Sequence, residues 1–357
     1  MLDPLILVAS FAIILLGAEL FTNGIEWFGH RLGLGEGAVG SVLAAIGTAL
    51  PETTIPVVAI LFSSDPHSSE VGLGAILGAP FMLGTLAIGV TGLVVYLNRS
   101  RRPTGEALAI DRSVVLADLA GFVPAYGIAI GAAFLPIEPT WPKLIVAVVL
   151  VALYGRYVKH HFDAESTIDA EGLNPLRLHP FDMRFFGADA ESPRLRTITL
   201  QVIVAVVAIV VGAVAFVTAV SSIAHSLGVS EIILALIVAP IATELPEGFN
   251  AVLWIRQGKD TLAVGNITGA MVFQASIATV VALVFAPTAW SIQPGTEIAF
   301  ASAAITLLSV AVVFRRLVRH EGGGGLRARG LLLGAVFYAA YIALVAWDVV
   351  SGAAAGP

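Results

Sequence analysis

Two six-residue segments decide the predicted fold: Gly-Thr-Ala-Leu-Pro-Glu at residues 47–52 and Ala-Thr-Glu-Leu-Pro-Glu at residues 242–247. They end a longer match, because residues 17–52 align without a gap onto residues 212–247 at a constant offset of 195 (247 − 52). Thirteen of the 36 aligned positions are identical, and they include a His, two Glu, a Thr and a Pro in each copy. Shared hydrophobicity does not produce polar identities of this kind, so the sequence contains an internal repeat.

Outside the two motifs, apolar runs of about 20 residues, long enough to cross a bilayer, recur along the chain. The ten predicted spans are Pro4–Phe28, Gly37–Phe62, Val71–Leu97, Leu108–Phe134, Trp141–His161, Thr197–Ser226, Glu231–Ile255, Leu262–Phe285, Thr296–Leu317 and Leu331–Val350. The two motif copies lie five spans apart, an odd number, so they cross the membrane in opposite directions. We therefore predict an all-α polytopic membrane protein with a first repeat at 1–162, a central loop at 163–196 and a second repeat at 197–357. Pro51 and Pro246 interrupt helices 2 and 7.

The composition and the distribution of charge agree with a membrane protein. Charged residues make up 12% of the chain, whereas they make up about a quarter of a soluble domain. The sequence has no cysteine, which excludes disulfides and cysteine-ligated metals, and no basic stripe indicates nucleic-acid binding. Every Lys and Arg except Lys143 falls on one side of the predicted topology. By the positive-inside rule, both termini face outward and the 163–196 loop is cytoplasmic.

Each motif concentrates oxygen ligands within one helical turn. Proline has no N–H, so Pro51 and Pro246 deprive the carbonyls of Gly47 and Ala242 of their helical partners. The predicted ligands are Gly47, Thr48 and Glu52 from the first motif and Ala242, Thr243, Glu244 and Glu247 from the second. Calcium takes about 6–8 oxygen ligands, and intramembrane carboxylates with no cation nearby are functional by default. We therefore predict a cation site between the two motifs.

The paired motifs resemble the two alpha-repeat motifs of the calcium/cation antiporter superfamily. They are most similar to those of the prokaryotic sodium/calcium exchangers, whose motif is Gly-Thr-Ser-Leu-Pro-Glu, and the resemblance covers nearly the whole chain. It implies alternating-access exchange of calcium for sodium in a prokaryotic plasma membrane, with the ions bound at Glu52 and Glu247 and no cofactor. Because one chain closes the site from its own two halves, we expect a functional monomer.

Several positions depart from the family pattern. The motif serine is replaced by Ala49 in the first copy and by Glu244 in the second. Helix 3 reads Gly-Ala-Pro-Phe-Met-Leu at 78–83 and offers no polar ligand, whereas helix 8 keeps one amide, Gln274. A divalent cation neutralises two of the three clustered Glu charges and leaves one for a proton or a monovalent ion. Sodium coupling and proton coupling therefore both remain open.

Other function classes and other polar residues have simpler interpretations. A cation channel could use the same ligands, but its flux would not need a counter-ion gradient. No His-Glu-x-x-His or Gly-x-Ser-x-Gly motif indicates an enzyme. Glu19 and Asn23 share one face of helix 1, where they line an access path or bond to a neighbouring helix. Asp118 is a proton relay or a structural hydrogen-bond partner, and His30 and His225 are expected to cap equivalent helices at the membrane interface.

Overall fold

The computed structural model describes residues 3–31, 50–63, 68–162, 175–186, 193–244, 251–252, 254–319 and 325–354, which are helical apart from their connecting segments. The α-helices are α1 (Asp3–Arg31), α2 (Leu50–Leu61), α3 (Ser68–Met82), α4 (Ile88–Asn98), α5 (Arg112–Gly131), α6 (Trp141–Phe162), α7 (His179–Phe186), α8 (Leu195–Leu227), α9 (Glu231–Thr243), α10 (Asp260–Phe273), α11 (Thr279–Phe285), α12 (Glu297–Arg319) and α13 (Ala328–Ala354). Two π-helical turns, π1 (Leu83–Ala87) and π2 (Gln274–Ala278), join α3 to α4 and α10 to α11. Residues 251–252 and 254–256 are also helical.

The described residues form an all-helical integral membrane protein. Eight of their helices are long and apolar enough to cross a membrane, and two shorter apolar helices cover Glu52–Leu61 and Glu231–Ile241. The eight long helices coincide with predicted spans 1, 3, 4, 5, 6, 8, 9 and 10. Large apolar side chains such as Leu200, Val207 and Val211 are exposed along α8. An apolar surface of this extent is unfavourable in water and is suited to lipid contact.

The two repeats meet through α1 and α8, which pack against each other along their length. A Cβ atom added to Gly17 would lie 2.7 Å from Cγ1 of Ile209, and one added to Gly212 would lie 2.7 Å from Cγ1 of Ile14. These two contacts are copies of each other at the repeat offset of 195 (212 − 17 and 209 − 14). Ile14 of α1 meets Gly212 of α8, and Gly17, three residues later in α1, meets Ile209, three residues earlier in α8. The helices are therefore antiparallel, which confirms the inverted repeat for this pair.

The π-helical turns are a second feature shared by the repeats. π1 begins at Leu83 and π2 at Gln274, an offset of 191 that also relates Gly74 to Gly265. In each turn a hydroxyl donates to the carbonyl four residues back: Thr85 to Phe81 and Ser276 to Val272. These side-chain bonds occupy carbonyls that an α-helix would use for its backbone ladder. The sequence analysis did not predict either π turn, although π turns often mark functional sites.

Two glycines bring α3 unusually close to α9. A Cβ on Gly74 would lie 2.2 Å from the carbonyl oxygen of Ile232, and a Cβ on Gly78 would lie 2.2 Å from that of Leu236. Pro240, inside α9, has no N–H to offer the Leu236 carbonyl. Gly78 therefore lets α3 approach a carbonyl that proline has freed. Small residues of this kind allow close contact between membrane helices.

Lys143, the single cation on the other side of the predicted topology, is fully buried. Its ammonium donates to the carbonyls of Pro287 at 2.6 Å and Trp290 at 2.9 Å, and to the Ser291 hydroxyl at 2.6 Å. The Trp290 indole in turn donates to the Ala129 carbonyl at 2.8 Å. Lys143 thus joins α6 to the segment at residues 287–291, which follows α11. Its structural role explains why it departs from the charge sorting.

Candidate functional site

The structure describes part of the predicted cation site. Glu52, Thr243, Glu244 and Gln274 are described with their side chains. Pro51 lies in α2 and Ala242 in α9, where only their backbone is described. The remaining predicted site residues, Gly47, Thr48, Pro246 and Glu247, lie outside the described residues. The geometry below therefore concerns the second-repeat motif and its neighbours, together with Glu52 from the first.

Glu52 lies in the first turn of α2 and is 4% exposed. α2 packs mainly against α3 and α8, and it also contacts π2, α11 and α9. The sequences of α2, α3, α9 and the continuous helix from α10 to α11 contain no Lys or Arg, whereas α8 contains Arg196 near its start. A carboxylate buried among such helices is costly unless a cation or a proton offsets its charge. The placement of Glu52 therefore agrees with a role in binding cations.

The second motif marks the point where α9 ends. The helix stops at Thr243, whose hydroxyl donates back to the Ala239 carbonyl at 3.2 Å. Glu244 follows as the C-cap, and its backbone N–H donates to the Pro240 carbonyl at 2.9 Å. Thr243 and Glu244 are both buried. The end of the helix thus delivers a hydroxyl and a carboxylate to the protein interior.

Gln274 and Glu244 are brought together by the fold, and each is 1% exposed. Nε2 of Gln274 donates to Oε1 of Glu244 at 2.5 Å, which links the first residue of π2 to the end of α9. The other end of the amide, Oε1 of Gln274, is buried with no hydrogen-bond donor among the described residues. An unsatisfied buried acceptor costs about 1–3 kcal/mol. A bound cation would satisfy this oxygen, so the donor set fits a metal ion as transported substrate.

Two buried hydroxyls follow Gln274 along the same helix, one within π2 and one just after it. Ser276 and Thr279 are fully buried. Thr279 Oγ1 donates to the Gln274 carbonyl at 3.4 Å. The equivalent position of Gln274 in the first repeat is Leu83, at the start of π1 (274 − 191 = 83). Polar chemistry is therefore present at the second π turn and absent from the corresponding position of the first.

Among the residues that the structure describes, no group of three or more His, Cys, Asp or Glu side chains converges as a metal centre. Two of the three predicted glutamates, Glu52 and Glu244, belong to the described set, and Glu247 does not. The predicted convergence of all three stays a prediction.

Glu19 and Asn23 contact the central segment at residues 175–178. Glu19 forms an exposed ion pair with Arg177. Oδ1 of Asn23 accepts from the Arg177 backbone N–H at 3.1 Å and from Nε2 of Gln201 on α8 at 2.9 Å. Oε1 of Gln201 accepts from the Leu178 N–H at 2.9 Å. The sequence analysis missed Gln201, which lies inside a long apolar run. The access path stays a prediction.

Asp118 is buried in α5 and accepts two side-chain hydrogen bonds. The Tyr157 hydroxyl donates to Oδ1 at 2.9 Å and the Thr268 hydroxyl to Oδ2 at 2.6 Å. These bonds tie α5 to α6 and to α10. The arrangement agrees with the structural interpretation of Asp118. His225 lies in the last turn of α8, which Gly228 closes with a left-handed φ of 64°. The side chain of His30 lies outside the described set.

The sequence matches the family model described as sodium/calcium exchanger protein over residues 2–161 and 197–350. The chain belongs to the sodium/calcium exchanger family. The two matched ranges correspond to the two repeats, so the exchanger is a membrane antiporter with repeated halves, and the resemblance seen in the motifs is confirmed. No curated protein matches it in sequence.

Solved exchangers share the fold of this antiporter. The H+/Ca2+ exchanger CAX has a TM-score of 0.64 at 15% identity, with 98% of this chain and 88% of that chain covered. The sodium-calcium exchanger NCX_Mj, soaked with 2.5 mM Na+ and 10 mM Sr2+, has a TM-score of 0.56 at 17% identity, with coverage of 96% and 98%. At such identities the similarity establishes the fold.

Proposed function

We propose that this exchanger moves calcium, or a related divalent cation, against protons by alternating access. The observation that carries the proposal is the buried Glu244–Gln274 pair at the end of α9. In the proposed site Glu244 is a third carboxylate beside Glu52 and Glu247, and a divalent cation neutralises only two of their charges. A proton is the simplest ion to neutralise the third, because it needs no cage of ligands.

Sodium is the second candidate for the counter-ion, and the motifs favour it. The segment 47–52 differs from the sodium/calcium exchanger motif only at Ala49, and the family model carries the sodium/calcium name. Against sodium stands the first repeat, where Leu83 at the start of π1 is fully buried and apolar. A sodium shell built from both repeats would need oxygen ligands at such positions.

The proposed site takes ligands from both motifs. Described members are Glu52, Thr243, Glu244 and Gln274. Gly47, Thr48, Ala242 and Glu247 complete the proposed shell from backbone carbonyls, a hydroxyl and a carboxylate. The end of α9 at Thr243 supports the proposed interruption of helix 7 near Pro246. Helix 2 would be interrupted near Pro51, which lies in the first turn of α2.

The proposed topology has ten membrane helices in two inverted five-helix repeats. The first repeat covers 1–162 and the second covers 197–357, with the 163–196 segment cytoplasmic and both termini outside. The arginine-rich loops and the buried role of Lys143 support this orientation. The site is built by a single chain, so we propose that the monomer transports. Binding of transported cations needs no cofactor in this scheme.

Calcium uptake into proteoliposomes tests the coupling ion. Purified protein is reconstituted, and an outward proton gradient and an outward sodium gradient are imposed separately, with valinomycin and potassium clamping the membrane potential. We expect the proton gradient to drive uptake and the sodium gradient to leave uptake at the level of protein-free liposomes. Uptake driven by sodium alone would overturn proton coupling and support the second candidate. Uptake that needs neither gradient would indicate a channel, and no uptake under either gradient would overturn the calcium assignment.

A further inference from the structure

A cavity of about 370 Å³ is lined by basic residues and shares no lining residue with the proposed cation site. Its walls are formed by Asn98, Arg101, Arg102, Ile255 and Arg256. Asn98 ends α4, whereas Ile255 and Arg256 end the helical segment at 254–256. The cavity therefore sits at the ends of two helices, on the arginine-rich side of the molecule. Its volume lies within the range of small-molecule sites, about 300–1,000 Å³.

Arg102 is held rigidly in the wall of the cavity. Its guanidinium forms a bidentate pair with Asp260, with Nη1–Oδ1 at 3.0 Å and Nη2–Oδ2 at 2.5 Å, and Nη1 also donates to the Ile255 carbonyl at 2.9 Å. The Arg102 side chain is only 8% exposed. Its Nε–H is buried and has no acceptor among the described residues. Asp260 also accepts from the Ala109 N–H at 2.7 Å, so its carboxylate is fully engaged.

Arg101 and Arg256 leave the cavity with excess positive charge. Both side chains are exposed, and neither makes a hydrogen bond or an ion pair in the part of the chain that the structure describes. Asp260 neutralises Arg102, so two guanidinium charges around the cavity stay uncompensated. Guanidinium groups bind phosphate oxygens through paired N–H donors. The charge balance and the donors therefore suit a phosphate-bearing anion.

We propose that this cavity binds the phosphate group of an anionic lipid. The adjoining surface supports a lipid as the source, because Leu97, the residue before Asn98, is 65% exposed and Leu93 on the same face of α4 is also exposed. Leu262, near the start of α10, is exposed as well. A headgroup on the arginines would place its acyl chains along these leucines. Anionic lipids of the cytoplasmic leaflet attract basic residues that directly follow a transmembrane helix, and Arg101 lies three residues after the end of α4.

Lipid binding to the purified full-length protein in detergent tests the proposal. Phosphatidylglycerol is titrated against wild type, against the double variant Arg101→Gln/Arg256→Gln and against Arg315→Gln. Arg315 is exposed near the end of α12 and does not line the cavity. Because the side chains of Arg101 and Arg256 make no hydrogen bond or ion pair among the described residues, their replacement should leave the fold intact. The bound lipid is measured by native mass spectrometry, and the protection it confers is measured by thermal unfolding.

We expect the double variant to bind phosphatidylglycerol about 30-fold more weakly, since each basic residue contributes about 1 kcal/mol near an anionic surface. Arg315→Gln should bind as wild type does, and phosphatidylcholine should bind weakly to all three proteins. Equal binding by wild type and the double variant would overturn the site. Equal protection by inorganic phosphate at the same concentration would overturn the lipid as the source of the anion. Transport measured on the same variants reports separately on the proposed exchange.

Discussion

The first and second repeats have the same backbone features but different polar side chains. π1 and π2 lie at equivalent positions, yet π1 begins with buried Leu83 and π2 with Gln274 bonded to Glu244. The equivalent of Glu244 in the first motif is Ala49 (244 − 195 = 49). The amide–carboxylate pair thus corresponds to two apolar residues. The two repeats therefore share the π-helical turn, whereas the polar side chains at these two positions belong to the second repeat.

The largest effect is expected where the two repeats remain alike. Glu52→Gln removes a glutamate that has an equivalent, Glu247, in the second motif. We expect calcium uptake to fall at least about 100-fold. Residues that only support a ligand typically cost about 10–100-fold when they are replaced. Calcium uptake by Glu247→Gln should fall as far, because Glu247 is the second-repeat equivalent of Glu52. Uptake into proteoliposomes is the measurement, and Glu297→Gln at the start of α12 is the control. Uptake at the wild-type rate by either variant would refute the proposal that Glu52 and Glu247 bind the transported cation.

Glu244→Gln tests the carboxylate that only the second repeat has. We expect proton-driven calcium uptake to fall about 10-fold and to lose part of its pH dependence, because the third carboxylate, whose charge the proton is proposed to neutralise, is gone. Glu231→Gln, at the other end of α9, should leave uptake unchanged, since its carboxylate accepts from Ser221 outside the site. Uptake rates across a series of external pH values distinguish the variants. An unaltered pH profile for Glu244→Gln would rule out this residue as the proton site.

Gln274→Leu copies the first-repeat residue into the second repeat. It removes the donor to Glu244 Oε1, and we expect a net loss of stability below about 3 kcal/mol, because the carboxylate loses a bond while the unsatisfied Gln274 oxygen is removed as well. Leu83→Met, at the equivalent position, keeps volume and apolarity and should cost less than about 1.5 kcal/mol. Thermal unfolding in detergent compares the two. If Gln274→Leu were as stable as wild type, the Glu244–Gln274 hydrogen bond would not contribute to stability.

The glycines of α1 and α8 test the symmetry itself. Gly17→Ala and Gly212→Ala each place a Cβ 2.7 Å from an isoleucine of the other helix. We expect each to destabilise by about 1–3 kcal/mol, and by similar amounts. Gly127→Ala is the control, because its Cβ would meet nothing within 4 Å, and it should stabilise α5 by about 0.5–1 kcal/mol. Clearly unequal losses would contradict a reciprocal interface.

The smallest expected effect concerns a helix cap. Asp111 accepts from the Ser113 N–H and hydroxyl at the start of α5, and these bonds lower the pKa of Asp111 below its usual value. The cap therefore stabilises at neutral pH, and its contribution is lost as the pH falls through that lowered pKa. Asp111→Ala should lower Tm slightly at pH 7 and not in strong acid. Ser230→Ala should not change Tm, because Ser230 makes no capping bond to α9. A Tm difference independent of pH would contradict this role.

The membrane helices could be predicted because each depends on local composition. Apolar runs of sufficient length and the sorting of Lys and Arg identified eight spans that the structure describes as long helices. The helix boundaries were less accurate: α5 begins at Arg112 rather than Leu108, because Asp111 caps it. The exception, Lys143, could not be explained from sequence. Its acceptors, at Pro287, Trp290 and Ser291, lie more than 140 residues away.

The candidate site was predicted as a set of residue types and only partly as a geometry. The motif repeat indicated Glu52, Thr243 and Glu244, and the family pattern added Gln274. Their burial agrees with the prediction. The hydrogen bond between Glu244 and Gln274 joins residues 30 positions apart, so no local sequence pattern predicts it. The same limit applies to Pro240 and Gly78, whose contact depends on how α3 and α9 cross.

The sequence by itself determined that this is a helical membrane protein of two inverted repeats and that glutamates enter its apolar interior. Those properties follow from hydropathy, charge sorting and an internal match, all of which are one-dimensional. Only the tertiary structure decided where the helices depart from α geometry, which glycines admit a neighbouring backbone, and which amide meets which carboxylate. The physical reason is that packing and hydrogen bonding depend on distances between segments far apart in the chain.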